Sequence, residues 1–277
     1  MCGIVGAITQ RPVAEILIEG LRRLEYRGYD SAGIAVIEPD SDKLICVKTV
    51  GKVQALSDAE EQAPAHGFIG IAHTRWATHG KPEVRNAHPQ CSKDSIALVH
   101  NGIIENFQVL KTELEGKGYN FESDTDTEVV VHLIHQQWEA DKQDFFACVR
   151  KVIDRLDGAY GLAVINTACP DSIIVARSGS PIVIGVGMGE NFIASDPSAL
   201  GQVTDRFIYM EEGDIAEVSR NKITIFNDNK IVTREVVRLL LDNDEVLKGN
   251  FRHYMQKEIF EQPEVVKNTL LGRISKT

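Results

Sequence analysis

The second residue of the chain, Cys2, is the first candidate for chemistry because of where it stands. Cysteine is small enough that we expect removal of Met1, which leaves Cys2 with a free α-amine beside its thiol. Such an amine has an ordinary pKa of roughly 7.7–8.0, so part of it is the free base near neutral pH. It can take the thiol proton and pass it to a leaving group, which makes one residue both nucleophile and base. The alternative is an ordinary cysteine ahead of a buried strand, and Met-Cys alone does not exclude it.

A polar loop reading HTRWATHG follows an apolar run and covers residues 73–80. The guanidinium of Arg75 is a planar fork that can bind a carboxylate through two hydrogen bonds. Thr78 adds a hydroxyl, and the loop adds backbone N–H donors. This pattern suits the α-carboxylate of an amino acid. The alternative is a surface turn in which Arg75 forms an ordinary ion pair.

An Asn-Gly pair, Asn101-Gly102, lies at the end of another apolar run. Asn-Gly is usually only a turn. Here the Asn101 side-chain amide and the Gly102 N–H could both point at one oxygen. Two such donors are what a tetrahedral acyl intermediate needs.

The segment 123–128, SDTDTE, directly precedes the apolar run 129–138 and is typical of a helix start. Asp and Thr are common capping residues, and Glu128 suits the positive end of the helix dipole. This structural role explains most of the motif but leaves one carboxylate available for a substrate ammonium. A calcium loop starting at Asp124 is disfavoured because Val129 stands where such a loop needs glycine.

Other clusters predict no metal or cofactor site. Four histidines fall in one region, at positions 73, 79, 88 and 100, without HExxH or a regular zinc spacing. The glycine-rich stretch 185–189 has Glu190 in place of a third glycine and lacks βαβ context. We therefore expect polar networks or substrate contacts and a hairpin turn, and no cofactor.

The order of elements predicts an α+β fold. Strand-like runs come first, three helical segments occupy residues 106–156, and strand-like runs return from 160 to 226. Two antiparallel sheets with helices on their outer faces satisfy this order, whereas the absence of βαβ alternation disfavours a parallel sheet. Residues 242–277 are charged and helical in character, and we expect a linker or the start of a further region there.

Composition narrows the class of protein further. The chain has 277 residues, 30 Lys and Arg against 40 Asp and Glu, and a net charge of −10, which disfavours a nucleic-acid partner. No apolar run reaches the ~18–20 residues of a membrane span, and the N-terminus does not resemble a secretory signal. Five scattered cysteines disfavour a disulfide framework. We expect a cytoplasmic protein.

Eight strings spread nearly end to end along the chain form a specific set. They are CGIVGAI, EYRGYDSAG, GIAHTRWATHG, VHNGIIEN, DTDTE, ARSGSP, GMGENFIASD and HYMQKEIFEQP. Together they resemble the glutaminase domains of class II glutamine amidotransferases, which belong to the N-terminal nucleophile hydrolase superfamily. The resemblance is closest to the glucosamine-6-phosphate-forming branch. The resemblance implies a four-layer αββα sandwich.

The resemblance also implies a nucleophile and its surroundings. Cys2 would attack the γ-amide of L-glutamine with its own α-amine as general base and acid, releasing ammonia and then L-glutamate. Asn101 and Gly102 would line the oxyanion hole. Arg27 would lie near the nucleophile.

The remaining implied roles concern substrate binding. Arg75 and Thr78 would take the α-carboxylate of glutamine, with backbone help near Trp76 and His79. Asp126 would hold the α-ammonium. Trp76 would sit in a loop that closes over glutamine and helps gate ammonia.

Members of this branch continue past the glutaminase domain into two sugar-isomerase domains and act as homodimers. We therefore expect residues 1–241 to form the glutaminase domain and 242–277 the linker and start of a truncated isomerase region. Fructose 6-phosphate would be a partner only through those missing domains. Two alternatives stay open: an amidotransferase that feeds phosphoribosyl pyrophosphate, and a module that senses glutamine without hydrolysing it.

Overall fold

The structure is a computed structural model and describes residues 2–39, 41, 43–77, 80–239, 251 and 254–270. Its helices are α1 (Ala14–Leu24), α2 (Val53–Gln62), α3 (Phe107–Glu115), α4 (Asp126–Ala140), α5 (Phe145–Ile153) and α6 (Tyr254–Leu270). Its strands are β1 (Gly3–Ile8), β2 (Ser31–Glu38), β3 (Lys43–Val50), β4 (Ile69–Arg75), β5 (Gln90–Ser92), β6 (Ile96–Ile104), β7 (Gly158–Asn166), β8 (Ile173–Ser178), β9 (Val183–Val186), β10 (Asn191–Ala194), β11 (Arg206–Tyr209), β12 (Ile215–Val218), β13 (Ile223–Asn227), β14 (Lys230–Val232) and β15 (Val236–Arg238).

The strands form two antiparallel sheets. The first has eight strands in the order β15-β11-β9-β10-β1-β4-β2-β3, and the second has seven in the order β14-β13-β12-β8-β7-β6-β5. Strand β1 lies in the interior of the first sheet, between β10 and β4, and every one of its residues is buried. Cys2 directly precedes this strand, whose first residue, Gly3, pairs with Thr74 of β4.

The two sheets pack face to face through an apolar core of Ile, Val and Ala side chains. Ile4, Ile37 and Ile71 of the first sheet share this core with Val99 and Val175 of the second. Small and β-branched residues suit such a pleated, fully buried surface. A second core joins α3, α4 and α5 to the other face of the second sheet.

Helix α1 belongs to the first sheet and packs against β1 and β4. Its side chains Leu17, Leu21 and Leu24 follow helical spacing and are fully buried. The helices of the first unit, α1 to α5, therefore lie outside the two sheets, and the predicted αββα sandwich is confirmed.

The chain divides into two compact units, residues 1–240 and 241–277. In the second unit the described residues form α6, with Phe251 stacking on Phe260 at a ring distance of 5.7 Å. No helix among the described residues is both long and apolar enough to span a membrane.

Several local predictions differ from the structure. Pro12, a residue that suits the first turn of a helix, lies before α1, which begins at Ala14 with Val13 as its N-cap. Helix α2 and the short strands β5, β14 and β15 were not predicted. These elements are short, and β14 and β15 are largely exposed, so their sequences carry little hydrophobic periodicity.

Close packing at Gly33 generates a stability prediction. A Cβ there would lie 2.3 Å from the His88 carbonyl oxygen and 2.9 Å from that of Val47, both backbone atoms that cannot move away cheaply. Gly33→Ala should lower the free energy of unfolding by about 1–3 kcal/mol. Gly116→Ala is the matched control, because Gly116 has helical φ and ψ and its nearest neighbour would be 3.4 Å away. Urea unfolding that gave both variants the same midpoint would contradict this.

Candidate active site

A cavity of about 450 Å³ collects most of the side chains singled out in the sequence. They are Cys2, Arg27, Arg75, Trp76, Asn101, Gly102 and Asp126. Thr78 and His79 lie outside the described residues. The cavity thus brings together four separate parts of the chain. They are the first 30 residues, the end of β4, the end of β6 and the start of α4.

The Cys2 thiol lies beside the backbone of Trp76. Its sulfur accepts a hydrogen bond from the Trp76 N–H at 3.1 Å. Burial raises the pKa of the Cys2 thiol above its ordinary value, and the Trp76 N–H partly opposes that rise. The thiol form is therefore favoured at neutral pH, and nucleophilic attack needs a base to remove the proton.

Asn101 and Gly102 occupy the end of β6, paired with Gly161 and Tyr160 of β7. The Asn101 side-chain nitrogen donates to the Cys2 carbonyl oxygen at 3.2 Å, so this amide lies against the candidate nucleophile. Gly102 has φ = +132°, and a Cβ there would lie 1.9 Å from the Ala159 carbonyl oxygen. Only glycine fits this position, because both the dihedral angle and the space exclude a side chain.

The imidazole of His73 fixes the orientation of the Asn101 amide. His73 Nε2 lies 3.1 Å from the His100 carbonyl oxygen and 3.0 Å from Asn101 Oδ1. Both partners are acceptors, so Nε2 carries the proton and donates. Burial lowers the pKa of His73 to about 3, which leaves the ring neutral at ordinary pH. With Oδ1 held by His73, the Asn101 nitrogen must face Cys2.

The buried Arg75 and the half-buried Asp30 form an ion pair that positions the loop after β4. The Arg75 guanidinium donates to Asp30 Oδ1 at 3.3 Å and to the carbonyl oxygens of Gly80 at 3.1 Å and Lys81 at 3.3 Å. Asp30 also accepts the Ala77 N–H. Sequence reasoning did not single out Asp30, although it lies inside the EYRGYDSAG string. No local sequence pattern marks Asp30, because it reaches Arg75 through the strand register that sets Ser31 of β2 opposite Arg75 of β4.

Arg27 belongs to a short 3₁₀ turn, Glu25–Arg27, and contacts Asp196. Its Nε donates to the Tyr26 hydroxyl at 3.2 Å, and that hydroxyl donates to Asp196 at 3.4 Å. Burial alone would raise the Asp196 pKa, but hydrogen bonds from Ser198 and the Arg27 guanidinium hold it below its ordinary value. Arg27 therefore lines the cavity as part of a charged network rather than as a lone cation.

Asp126 is the first residue of α4, and it also lines the cavity. Its Oδ2 accepts the Ile104 N–H at 2.8 Å, and His100 Nδ1 lies 4.0 Å away. Burial lowers the pKa of His100, and the Asp126 carboxylate opposes that shift. Asp126 thus supplies a buried carboxylate beside a histidine that is neutral at ordinary pH.

The expected capping of α4 is wrong in detail. Thr125 is the N-cap residue, but its side chain makes no capping hydrogen bond. Glu128 instead reaches back and accepts the N–H groups of Glu122 at 2.8 Å and Ser123 at 2.7 Å. The carboxylate therefore binds the segment before the helix, which fixes the direction in which the chain enters α4.

The cavity has further lining residues that sequence reasoning did not assign. They are His88, His100, Ile103, Thr125, Thr127, Ser180, Pro181 and Ser195. His88 and His100 were expected only in general terms, as parts of polar networks or substrate contacts. The other lining residues lie within the strings that carry the family resemblance but were given no role. In the described part of the chain, no group of three or more His, Cys, Asp or Glu residues could hold a metal ion.

Residues 73–202 match the family model described as a glutamine amidotransferase domain. Over 276 residues it is 56% identical to the glutamine–fructose-6-phosphate aminotransferase (isomerizing) of Idiomarina loihiensis, and over 277 residues to that of Escherichia coli K12. Each alignment covers 99% of this chain but 45% of the relative, so the chain spans less than half the length of these relatives. The resemblance inferred from the motifs is confirmed.

Solved structures agree with the amidotransferase fold. The glutamine phosphoribosylpyrophosphate amidotransferase of B. subtilis, complexed with ADP and GMP, has a TM-score of 0.66 and 27% identity, covering 86% of this chain and 49% of that one. A glutamine aminotransferase class-II domain protein from Silicibacter pomeroyi has a TM-score of 0.55 and 12% identity, covering 82% of this chain and 99% of that one. At that identity the second likeness concerns the fold alone.

The burial of His73 generates a pH prediction. In the unfolded chain His73 binds a proton below about pH 6.5, whereas in the folded chain its pKa is about 3. Its contribution to stability is therefore complete above pH 6.5 and is lost as the pH falls toward 3. The unfolding free energy should therefore fall as the pH is lowered below 6.5. His73→Gln should reduce the slope of this fall by up to about 1.4 kcal/mol per pH unit.

Urea unfolding at several pH values between 7.5 and 4.5 measures this slope. His66→Gln is the matched control because His66 is exposed, and it should keep the slope of the unsubstituted chain. Equal slopes for the two variants would show that His73 is not held neutral by burial.

Proposed function

We propose that this chain hydrolyses L-glutamine to L-glutamate and ammonia through a γ-glutamyl thioester on Cys2. The observation that carries the proposal is that the Cys2 thiol, the Asn101 amide and Gly102 line one cavity that also presents Arg75 and Asp126. Such a set offers a nucleophile, two hydrogen-bond donors and two opposite charges. An amino acid with a side-chain amide matches all of these groups.

The first half of the reaction uses Cys2 and the oxyanion donors. Once Met1 is removed, the α-amine of Cys2 takes the thiol proton, and the sulfur attacks the side-chain carbonyl carbon of glutamine. The negative oxygen that forms is stabilised by Asn101 and Gly102. The α-ammonium of Cys2 then gives its proton to the leaving amide nitrogen of the substrate. The carbon–nitrogen bond breaks, which releases ammonia and leaves the thioester on Cys2.

The second half repeats the chemistry with water. The freed amine removes a proton from water, the hydroxide attacks the thioester carbonyl, and the same donors stabilise the oxyanion. The carbon–sulfur bond then breaks, L-glutamate leaves, and Cys2 regains its proton. The favoured thiol form of Cys2 fits this scheme, because the base acts at the moment of attack.

The charged ends of glutamine are assigned by complementarity. We infer that Arg75 and Thr78 bind the α-carboxylate and that the Asp126 carboxylate binds the α-ammonium. Trp76 and His79 would add backbone contacts, with Trp76 in a loop that closes over glutamine and gates ammonia, and Arg27 would support the nucleophile. The cavity of about 450 Å³ is within the usual range for a small ligand.

The wider role is inferred from the relatives. We propose that residues 1–241 are the glutaminase domain and that 242–277 are the linker and start of a sugar-isomerase region. In the longer protein the ammonia would convert fructose 6-phosphate to glucosamine 6-phosphate. That protein would be a cytoplasmic homodimer without nucleic-acid or membrane partners.

The main alternative within the class is an amidotransferase that feeds phosphoribosyl pyrophosphate. The relevant solved structure is 27% identical over 86% of this chain, whereas the fructose-6-phosphate relatives are 56% identical over 99%. This difference favours the glucosamine branch. A second alternative is not an enzyme: the chain would sense glutamine by binding it without hydrolysis.

Replacing the nucleophile tests the reaction. Cys2→Ala should lower ammonia release from glutamine by at least about 10³-fold, because no thioester can form. Its urea midpoint should not change. Cys169→Ala is the control, because this half-buried thiol does not line the cavity and should leave turnover intact.

The same samples also test the sensing alternative. The mass of the intact chain should show that Met1 is absent from the active protein. Tight glutamine binding without ammonia release by a chain that begins at Cys2 would contradict hydrolysis and favour sensing.

Removing one carboxylate tests how the substrate is held. In the Cys2→Ala background, Asp126→Asn keeps an acceptor for the Ile104 N–H but removes the charge that would face the ammonium. The Kd for glutamine should rise by about tenfold to a hundredfold, the value of a charged hydrogen bond. Asp124→Asn is the control, since Asp124 pairs with Arg85 at 2.8 Å and does not line the cavity. Equal calorimetric affinities for the two variants would exclude the assigned role of Asp126.

A further inference from the structure

The indole of Trp76 packs on a glycine that has no assigned role in the glutaminase reaction. Gly28 follows the short turn Glu25–Arg27, and a Cβ at this position would lie 2.6 Å from the Cε3 atom of Trp76 and closer still to its Cζ3. The six-membered ring of the indole therefore occupies the space that a side chain at position 28 would need. Trp76 is nevertheless 53% exposed, so the contact with Gly28 covers only part of the ring.

The backbone of Trp76 contacts the candidate nucleophile. Its N–H donates to the Cys2 sulfur at 3.1 Å, and the Cys2 thiol donates to its carbonyl oxygen at 3.5 Å. Strand β4 ends at Arg75, so Trp76 is the first residue beyond the strand pairing. Among the described residues, its backbone N–H and C=O have no hydrogen-bond partner except this sulfur. The sheet therefore does not set the position of these two groups directly.

Both peptide groups of Trp76 are held by the segment 28–30. The Asp30 N–H donates to the Arg75 carbonyl oxygen at 2.7 Å, and the Asp30 carboxylate accepts the Ala77 N–H. The first bond orients the peptide group whose N–H points at the sulfur. The second orients the peptide group whose carbonyl oxygen lies beside the sulfur. These bonds require the segment 28–30 to lie close to Trp76.

We propose that Gly28 is a positioning residue: because it has no side chain, the segment 28–30 approaches Trp76 closely enough to hold its two peptide groups against the Cys2 sulfur. A side chain at position 28 would meet the indole first and push the segment away. Burial raises the pKa of the Cys2 thiol, and the Trp76 N–H is the main influence that opposes this rise. Loss of the contact would leave less of the reactive thiolate. The inference rests on the proposed function in one respect, that Cys2 is the nucleophile.

The pH profile of Cys2 alkylation tests the proposal without glutamine. The full chain is treated with iodoacetamide at several pH values, and mass spectrometry follows the first tryptic peptide. This peptide, 2–22, has Cys2 as its only cysteine, since Arg11 precedes proline and is not cleaved. In Gly28→Ala the apparent pKa of Cys2 should rise by about one unit, roughly the effect of one hydrogen bond to a charged group. The alkylation rate at pH 7 should fall about tenfold.

A second substitution separates the indole contact from backbone strain. Gly28 has φ = +81° and ψ = +148°, a conformation that strains alanine whatever it touches. Leucine at position 76 has no atoms where Cε3 and Cζ3 of the indole lie. In a Trp76→Leu background, Gly28→Ala should therefore leave the apparent pKa of Cys2 unchanged. Gly118→Ala should keep the profile of the unsubstituted chain, because Gly118 has φ = +85° but a Cβ there would meet nothing within 4 Å.

Tryptophan fluorescence reports on the indole directly. Trp76 and Trp138 are the two tryptophans of the chain, so Trp138→Phe leaves Trp76 as the only tryptophan emitter. In this background Gly28→Ala should increase the quenching of Trp76 by acrylamide, because the ring loses its contact with position 28. Gly118→Ala in the same background should not change the quenching.

Three results would overturn the proposal. An unchanged pH profile of Cys2 in Gly28→Ala would show that the indole moves without its peptide groups. The same rise in pKa with leucine at position 76 would assign the effect to strain. Unchanged quenching would show that the indole does not move.

Urea unfolding covers the case in which Gly28→Ala does not fold. Recovery of a folded chain with a normal pH profile by Trp76→Leu would support the proposal, and failure to recover would overturn it. Alkylation needs no glutamine turnover, so these results are separate from the test of the proposed function by Cys2→Ala.

Discussion

The hydrogen bond between His73 and Asn101 ties the two sheets together where the candidate active site is built. His73 lies on β4, next to β1 and its preceding Cys2, whereas Asn101 lies on β6 of the other sheet. The same Asn101 amide donates back to the Cys2 carbonyl oxygen, so the candidate nucleophile and the candidate oxyanion donor are joined by a direct hydrogen bond. This arrangement requires a neutral His73 whose Nε2 donates, and burial provides that state by lowering the pKa of the ring. The inter-sheet core thus has a chemical consequence as well as a stabilising one.

Much of the fold and part of the site follow from local sequence rules. Buried runs such as 3–8 and 69–75 predict strands because their Ile, Val and Ala residues leave no polar face. Cys2 and Asn101 were identified because their residue types and neighbours suit acyl transfer. Their meeting could not be derived from local rules, since 99 positions separate them and only sheet packing brings them together. The resemblance to known motifs supplied what periodicity could not.

The parts that local reasoning missed are those that depend on register. Asp30 reaches Arg75 because Ser31 and Arg75 are opposite each other in the β2–β4 pair. No local sequence pattern predicts this register. The capping of α4 shows the same limit, since Glu128 rather than Thr125 satisfies backbone donors before the helix. Burying the positive charge of Arg75 costs folding free energy unless a negative charge lies beside it, and Asp30 provides that charge. The Arg75–Asp30 pair therefore holds the loop after β4, and the proposed contact of this loop with a substrate carboxylate depends on it.

The segment before β5 connects the cavity to the edge of the second sheet. His88 lines the cavity and lies near His73 at a ring distance of 4.3 Å, and β5 starts two residues later. The Gly33 position lies directly against the His88 carbonyl, so this segment is packed closely on β2 as well. Because interiors this dense transmit strain rather than absorb it, a displacement of the His88 backbone should reach the His73 ring, whose Nε2 orients the Asn101 amide.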